Sequence, residues 1–119
     1  MKNYTVRQYS SEDYTIWNAF ISIAKNTTFL FHRDFMEYHA DRFEDFSLLV
    51  FEGENLVALL PANRVDHTIF SHQGLTYGGF VFKDDLVIFE IDLIIAEVIL
   101  YLKEIKLKSL VLKKLFLYI

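Results

Sequence analysis

The sequence predicts a mixed α/β (α+β) fold: a mostly antiparallel sheet flanked by helices. Three observations predict it. Helical spacing of apolar residues opens and nearly closes the chain, a hairpin pattern fills the middle, and the last apolar run follows the last helix. With 119 residues and 53% hydrophobic content, the chain is long enough for one domain with a true core and too short for two. One Pro and four Gly leave most of it to regular elements.

Tyr4, Val6 and Gln8 alternate with Thr5, Arg7 and Tyr9, as a short first strand requires. "SSEDYTIWNAFISIAKN" follows as a first helix. Ser11 is its expected N-cap, Glu12 and Asp13 favour the positive end of the dipole, and Asn26 can end it. "TTFLFHRDFMEYHADRF" reads as a second amphipathic helix, with Phe31, Phe35 and Tyr38 about one turn apart. "FSLLVF" and "LVALLPANRV" flank a Gly53-Glu54-Asn55 turn and form a hairpin. Pro61 cannot donate a ladder hydrogen bond, so its strand is expected to be at an edge or bulged there. "HTIFSHQ" and "LTYGGFVF" continue as strand, or as two short strands around Gly74.

"DDLVIFEIDLIIAEVILYLKEIK" is a third, long helix with Asp84 or Asp85 as the expected N-cap. Glu90, Glu97 and Glu104 recur every seven residues, and nearly everything else is aliphatic or Phe. Glu90, Asp92 and Glu97 exclude a membrane span, because each acid near a bilayer centre costs about 2.5–3.5 kcal/mol on insertion scales. The expectation is a helix buried over most of its circumference. "LKSLVLKKLFLYI" is read as one final strand, paired in parallel with its predecessor through a right-handed crossover.

Net charge is −4, and the basic cluster Lys103, Lys106, Lys108, Lys113 and Lys114 is diluted by Glu104 and aliphatics. It reads as a solvated helix end and strand edge, so the chain by itself is not expected to bind nucleic acid. The absence of Cys excludes disulfides, zinc–thiolate sites and thiol nucleophiles. The N-terminal stretch "MKNYTVRQYSSEDY" has no apolar core of a signal peptide, and a cytoplasmic location is expected.

The candidate site residues lie in two places. Ser71, His72, Gln73, Tyr77, Gly78 and Gly79 collect polar groups and glycines in an otherwise apolar stretch. The glycines there serve either a bulge or close approach of backbone to substrate. His72 with Ser71 and Gln73 is placed either to orient an acceptor or act as a base near neutral pH, or to bond backbone at a strand end. Arg33 pairs either with a substrate carboxylate or phosphate, or with Glu37 one turn on. His32-Arg33-Asp34 lacks the companion motifs of a kinase catalytic loop. His32 and His39 lack metal-ligand spacing, so no metal is expected.

The order of elements resembles the first part of the GNAT acyltransferase fold, which runs strand, two helices, three strands, helix, strand, helix and two strands. The likeness covers nearly the whole chain and ends at the family's fifth strand. "TFLFHRDFMEYH", the return strand "LVALLPA" and the following "GLTYGG" are similar to the N-terminal half of Fem-like transferases, which carry two GNAT-like domains. This resemblance implies acyl or aminoacyl transfer to a small-molecule or peptide amine, from acyl-CoA or aminoacyl-tRNA. It also implies that the first domain shapes the acceptor cleft while the second holds the donor. The chain, residues 1–119, would then be one GNAT-like domain truncated after its fifth strand and inactive alone. Its expected partner is a missing C-terminal GNAT-like domain.

One departure from the family pattern matters. Single-domain members carry Q/R-x-x-G-x-G/A before the third helix, where backbone N–H groups hold a pyrophosphate. Here Thr76 stands three residues after Gln73, Gly78 and Gly79 are adjacent, and Asp84 and Asp85 bring negative charge. No donor cofactor is therefore expected on this chain. The alternative is a non-catalytic module that binds a ligand or protein and forms a homodimer through residues 86–119, since the final helix and strand carry much apolar surface.

Overall fold

The computed structural model describes residues 3–23, 33, 44–70, 80–112 and 115–118. The first strand is β1 (Tyr4–Gln8), followed by a single 3-10 turn (Ser11–Asp13) and helix α1 (Tyr14–Ile23). The middle of the chain forms β2 (Glu44–Asp45), β3 (Leu48–Glu52), β4 (Asn55–Leu60), β5 (Asn63–Val65), β6 (Thr68–Phe70) and β7 (Val81–Phe82). Helix α2 (Ile88–Glu104), β8 (Ser109–Leu112) and β9 (Leu115–Tyr118) complete it.

Among the described residues the strands form two sheets, not one. The first runs β1-β3-β4-β7 and is antiparallel throughout; the second runs β2-β5-β6-β8-β9. In the second, β6 and β8 pair in parallel with α2 in the connection; a parallel pair across the long helix is as expected, but its partner is β6 and not β7, the strand that directly precedes α2. The final apolar run is not a single strand: β8 and β9 fold back on each other antiparallel, Ser109 facing Tyr118 and Leu112 facing Leu115. "HTIFSHQ" and "LTYGGFVF" likewise contribute to different sheets, β6 to the second and β7 to the first.

The division between the sheets has a local cause. β3 and β4 form the expected hairpin around Gly53, whose φ of +61° lies in the left-handed region that glycine enters without penalty. Pro61 then ends β4, and the chain resumes as β5 in the other sheet. The facing chain changes sheets at the same level, between β2 and β3. Phe46 N–H donates to the Ala62 carbonyl at 2.9 Å and Ala62 N–H to Ser47 Oγ at 3.1 Å, so the two crossing points are stitched together.

Alternation along β3 sends Leu48 and Val50 to one face and Leu49 and Phe51 to the other. The first face joins Ile94, Val98 and Leu102 of α2, together with Ile69 and Leu110, in the larger core. The second meets Trp17, Phe20 and Ile21 of α1. Both faces of the sheet are thus covered, which is why β3 reads as an unbroken apolar run. Burying each such aliphatic side chain is worth about 1.5–3 kcal/mol. In β4 the register shifts opposite Val50 and Phe51, and Val57 and Ala58 consequently both face the α2 core.

The helix ends differ from expectation. Ser10, not Ser11, is the first N-cap: Asp13 Oδ2 accepts from Ser10 N–H at 3.1 Å and from Ser10 Oγ at 3.4 Å. Asp13 also pairs with Arg7 at 2.5 Å, tying the helix start to β1. α2 begins at Ile88 with Val87 as N-cap, because Glu90 Oε1 accepts the Val87 N–H at 3.2 Å; Asp84 and Asp85 form a turn before it. At the far end Lys106 N–H reaches the Lys103 carbonyl and Leu107 N–H the Leu102 carbonyl, both at 3.0 Å. This is a Schellman ending with a lysine, φ +68°, where glycine is usual. Buried Leu107 supplies its apolar contact.

α2 is not buried over most of its circumference. Ile94, Val98 and Leu102 face the core, but Ile88 is 77%, Phe89 71% and Leu100 51% exposed. A helix laid on one sheet face buries a single stripe, and among the described residues no second layer covers α2. Among the described residues no helix is long and apolar enough to cross a membrane. The expected second helix falls outside them apart from Arg33, which is helical.

Two stability outcomes follow from the helix ends. Lys106→Gly should raise unfolding stability by about 1 kcal/mol by removing left-handed strain, read as a higher urea midpoint at unchanged slope. Burial pushes the Asp13 carboxyl up, but Arg7 and the Ser10 cap outweigh it and hold the group below its usual 3.8. Its stabilisation is therefore complete above that value and is lost as pH falls through the lower folded one. Asp13→Asn should cost about 1 kcal/mol at neutral pH and flatten the acid limb of stability against pH.

Candidate functional site

A buried arginine sits where the two sheets part. Arg33 is 2% exposed, not a surface residue beside Glu37, and Glu37 lies outside the described residues. Its guanidinium stacks over the Tyr9 ring at 3.6 Å and lies 5.0 Å from the Trp17 centroid. One nitrogen pairs with Asp45 Oδ2 and another reaches Ser47 Oγ at 3.5 Å. Its backbone N–H donates to Asn18 Oδ1 of α1 at 2.8 Å.

The groups around Arg33 are ordered by short-range chemistry. Asp45 Oδ1 accepts from Ser47 N–H at 3.0 Å and Ser47 Oγ at 2.7 Å, an aspartate turn that shapes the passage from β2 to β3. Tyr9 N–H donates to the Ser47 carbonyl at 2.8 Å, which brings the ring over the guanidinium. Tyr9 and Trp17 meet edge to face at 5.4 Å. Buried charge needs a counter-charge and hydrogen bonds, and this cluster provides both. Asp45, with its side chain 32% exposed, is the edge of the cluster that meets solvent.

Of the residues expected to contact substrate, the structure therefore places Arg33 alone. Ser71, His72, Gln73, Tyr77, Gly78 and Gly79 lie outside the described residues. Sequence reasoning missed Asp45 and Ser47. Their Asp-x-Ser spacing just before an apolar run is the signal that marks such a turn.

A second feature is a groove of about 540 Å³ beside α2. Asn3 and Tyr4 form one wall; Phe89, Leu93 and Ala96 form the other, with Glu90 and Glu97 alongside. The start of α2 does not suit a pyrophosphate. The Glu90 carboxylate already takes the Val87 N–H, and Asp84 and Asp85 precede it, Asp85 being paired with Lys83 at 3.5 Å. Anionic phosphate and these carboxylates would repel.

No protein-family model and no curated protein matches the chain. Among solved structures, the ribosomal-protein-S18-alanine N-acetyltransferase from Escherichia coli superimposes with a TM-score of 0.62 at 10% identity. The match covers 91% of this chain and 64% of that one, so the chain spans somewhat under two thirds of its neighbour's length. The fold is GNAT-like. An N-acetyltransferase from Staphylococcus aureus is more distant, with a TM-score of 0.47 at 14% identity over 91% of this chain and 71% of that one. The GNAT-like order places the Arg33 cluster between β1, α1 and the crossing point of β2 and β3.

Arg33→Met should cost roughly 3 kcal/mol, since it leaves Asp45 without its cation and removes the filling between two rings. Arg33→Lys should restore less than half of it, because an ammonium cannot pair and stack as a planar fork does. Urea unfolding of the two variants checks both values; an unchanged midpoint would show that the cluster holds nothing together.

Proposed function

We propose that the chain is the acceptor-side portion of a GNAT/Fem-like N-acyltransferase and is incomplete for catalysis by itself. The observation that carries this is the likeness over 91% of the chain to an N-acetyltransferase of which it spans 64%. The parallel β6–β8 pair across α2 supports it, since this connection places the fifth strand of the family order.

In this reading an acyl or aminoacyl group passes to a small-molecule or peptide amine. The segment holding Ser71, His72, Gln73, Tyr77, Gly78 and Gly79 faces the acceptor, and His72, whose type titrates near neutrality, receives the amine proton. Arg33 acts by holding the two sheets in place. The donor is held by a C-terminal GNAT-like domain, because the carboxylates at the start of α2 repel phosphate. The Fem-like motif strings favour a cytoplasmic enzyme of this paired-domain kind.

The test compares the 119-residue chain with the chain completed by a segment supplying the family's fourth helix and last two strands together with a C-terminal GNAT-like domain. Thiol release from acetyl-CoA in the presence of a panel of amines is the readout, and this chain adds no cysteine background. The completed protein should turn over and the chain alone should not. Turnover by the chain alone would remove the claim of incompleteness, and none by either would remove acetyl transfer.

A further inference from the structure

The outward side of α2 carries a pattern its core-facing side does not explain. Phe89, Leu93, Ala96 and Leu100 follow one another at intervals of four, three and four residues. On a helix this spacing makes one seam, about 16 Å long at 1.5 Å per residue. Phe89, Ala96 and Leu100 lie away from Ile94, Val98 and Leu102, which fill the core, while half-buried Leu93 also packs against that core. Phe89 and Leu100 at its ends are exposed, and the 540 Å³ groove runs along its near side, with Phe89, Leu93 and Ala96 in its wall.

Glu90 and Glu97 follow the seam residues Phe89 and Ala96, and Glu104 continues their row one heptad on, after Lys103 at the next position of the seam. A seam of this kind takes a second helix, and the flanking charges choose which one. A second copy is a poor choice. In an antiparallel two-fold pair the glutamate row faces itself. In a parallel pair Glu97 meets Asp92, which flanks the seam on the other side. Like charges opposed along a helix pair destabilise it. The net charge of −4 also opposes self-association.

We propose that the seam of α2 docks an amphipathic helix of another polypeptide, with apolar residues at three-four spacing and a row of Lys or Arg set against Glu90, Glu97 and Glu104. The apolar seam provides the contact area and the glutamate row the selectivity. This surface is independent of acyl transfer: it rests on α2 alone and would be present in a complete enzyme or a binding module.

Two labelled helical peptides of about three heptads test it, one with Lys and one with Glu at the flanking positions, both with Leu and Ile in the seam. By fluorescence anisotropy the Lys peptide should bind the full chain at least about tenfold tighter at low salt, and the advantage should shrink near 0.5 M salt. Phe89→Ser with Leu100→Ser should abolish binding at an unchanged thermal midpoint, both being exposed. Glu97→Lys with Glu104→Lys should reverse the preference, which keeps the test decisive if the serine variant unfolds. Equal binding of the two peptides, a dimer that the serine variant dissolves, or preference for anionic lipid vesicles over the Lys peptide would each overturn the proposal.

Discussion

A guanidinium buried at the point where two sheets separate is the constraint on which the rest of the structure depends. Strands that leave one sheet for another must break their ladders, and the freed backbone groups need new partners. Here Ser47 Oγ and the Ala62 backbone serve each other across the gap, and Asp45 turns the chain into Ser47. Arg33 then neutralises Asp45 and fills the space between Tyr9 and Trp17. One side chain thereby joins β1, α1, the β2–β3 passage and its own helical segment. Such a cluster is costly to desolvate, and replacing a buried ion pair by apolar residues of like volume is often neutral for stability. Only a forked cation, however, meets a carboxylate and two aromatic faces at once.

The two helices occupy opposite faces of the first sheet and differ in character. α1 sets Trp17, Phe20 and Ile21 against Leu49, Leu59 and Val81. α2 gives one stripe to the larger core and keeps a second outside, where exposed Phe89 and Leu100 flank an acidic row. The same helix therefore serves fold and surface with different residues. At its start the Glu90 carboxylate accepts the Val87 N–H and caps the helix.

Much of the architecture was legible in the sequence. β1, α1, the hairpin at Gly53, the long helix and the parallel crossover could all be read from periodicity and turn chemistry. The splitting into two sheets was not legible, because Pro61 shows that a ladder stops without showing which strand is joined next. Nor was the reversal within "LKSLVLKKLFLYI", where an even apolar run carries no turn residue to announce it. The N-caps shifted by one to three residues: Ser10 outcompeted Ser11 because Asp13 stood three places on, and Glu90 drew the start of α2 past Asp84 and Asp85. Arg33 was picked out for its charge, but its surroundings come from Tyr9, Trp17 and Asp45, distant in sequence and close only once folded.

The bulge at Val57 bears on how this sequence can drift. Leu56 and Leu59 belong to the α1 side while Val57 and Ala58 both belong to the α2 side, so the strand carries one residue more than a regular ladder would hold. Losing Val57 itself would restore a regular ladder and leave Leu56, Ala58, Leu59 and Leu60 on the sides they now face, whereas a gain or loss elsewhere in the strand would set leucines meant for one helix against the other. Substitution by other apolar residues is open to this segment, and so is the loss of the one surplus position; every other change of length between Gly53 and Pro61 is closed to it.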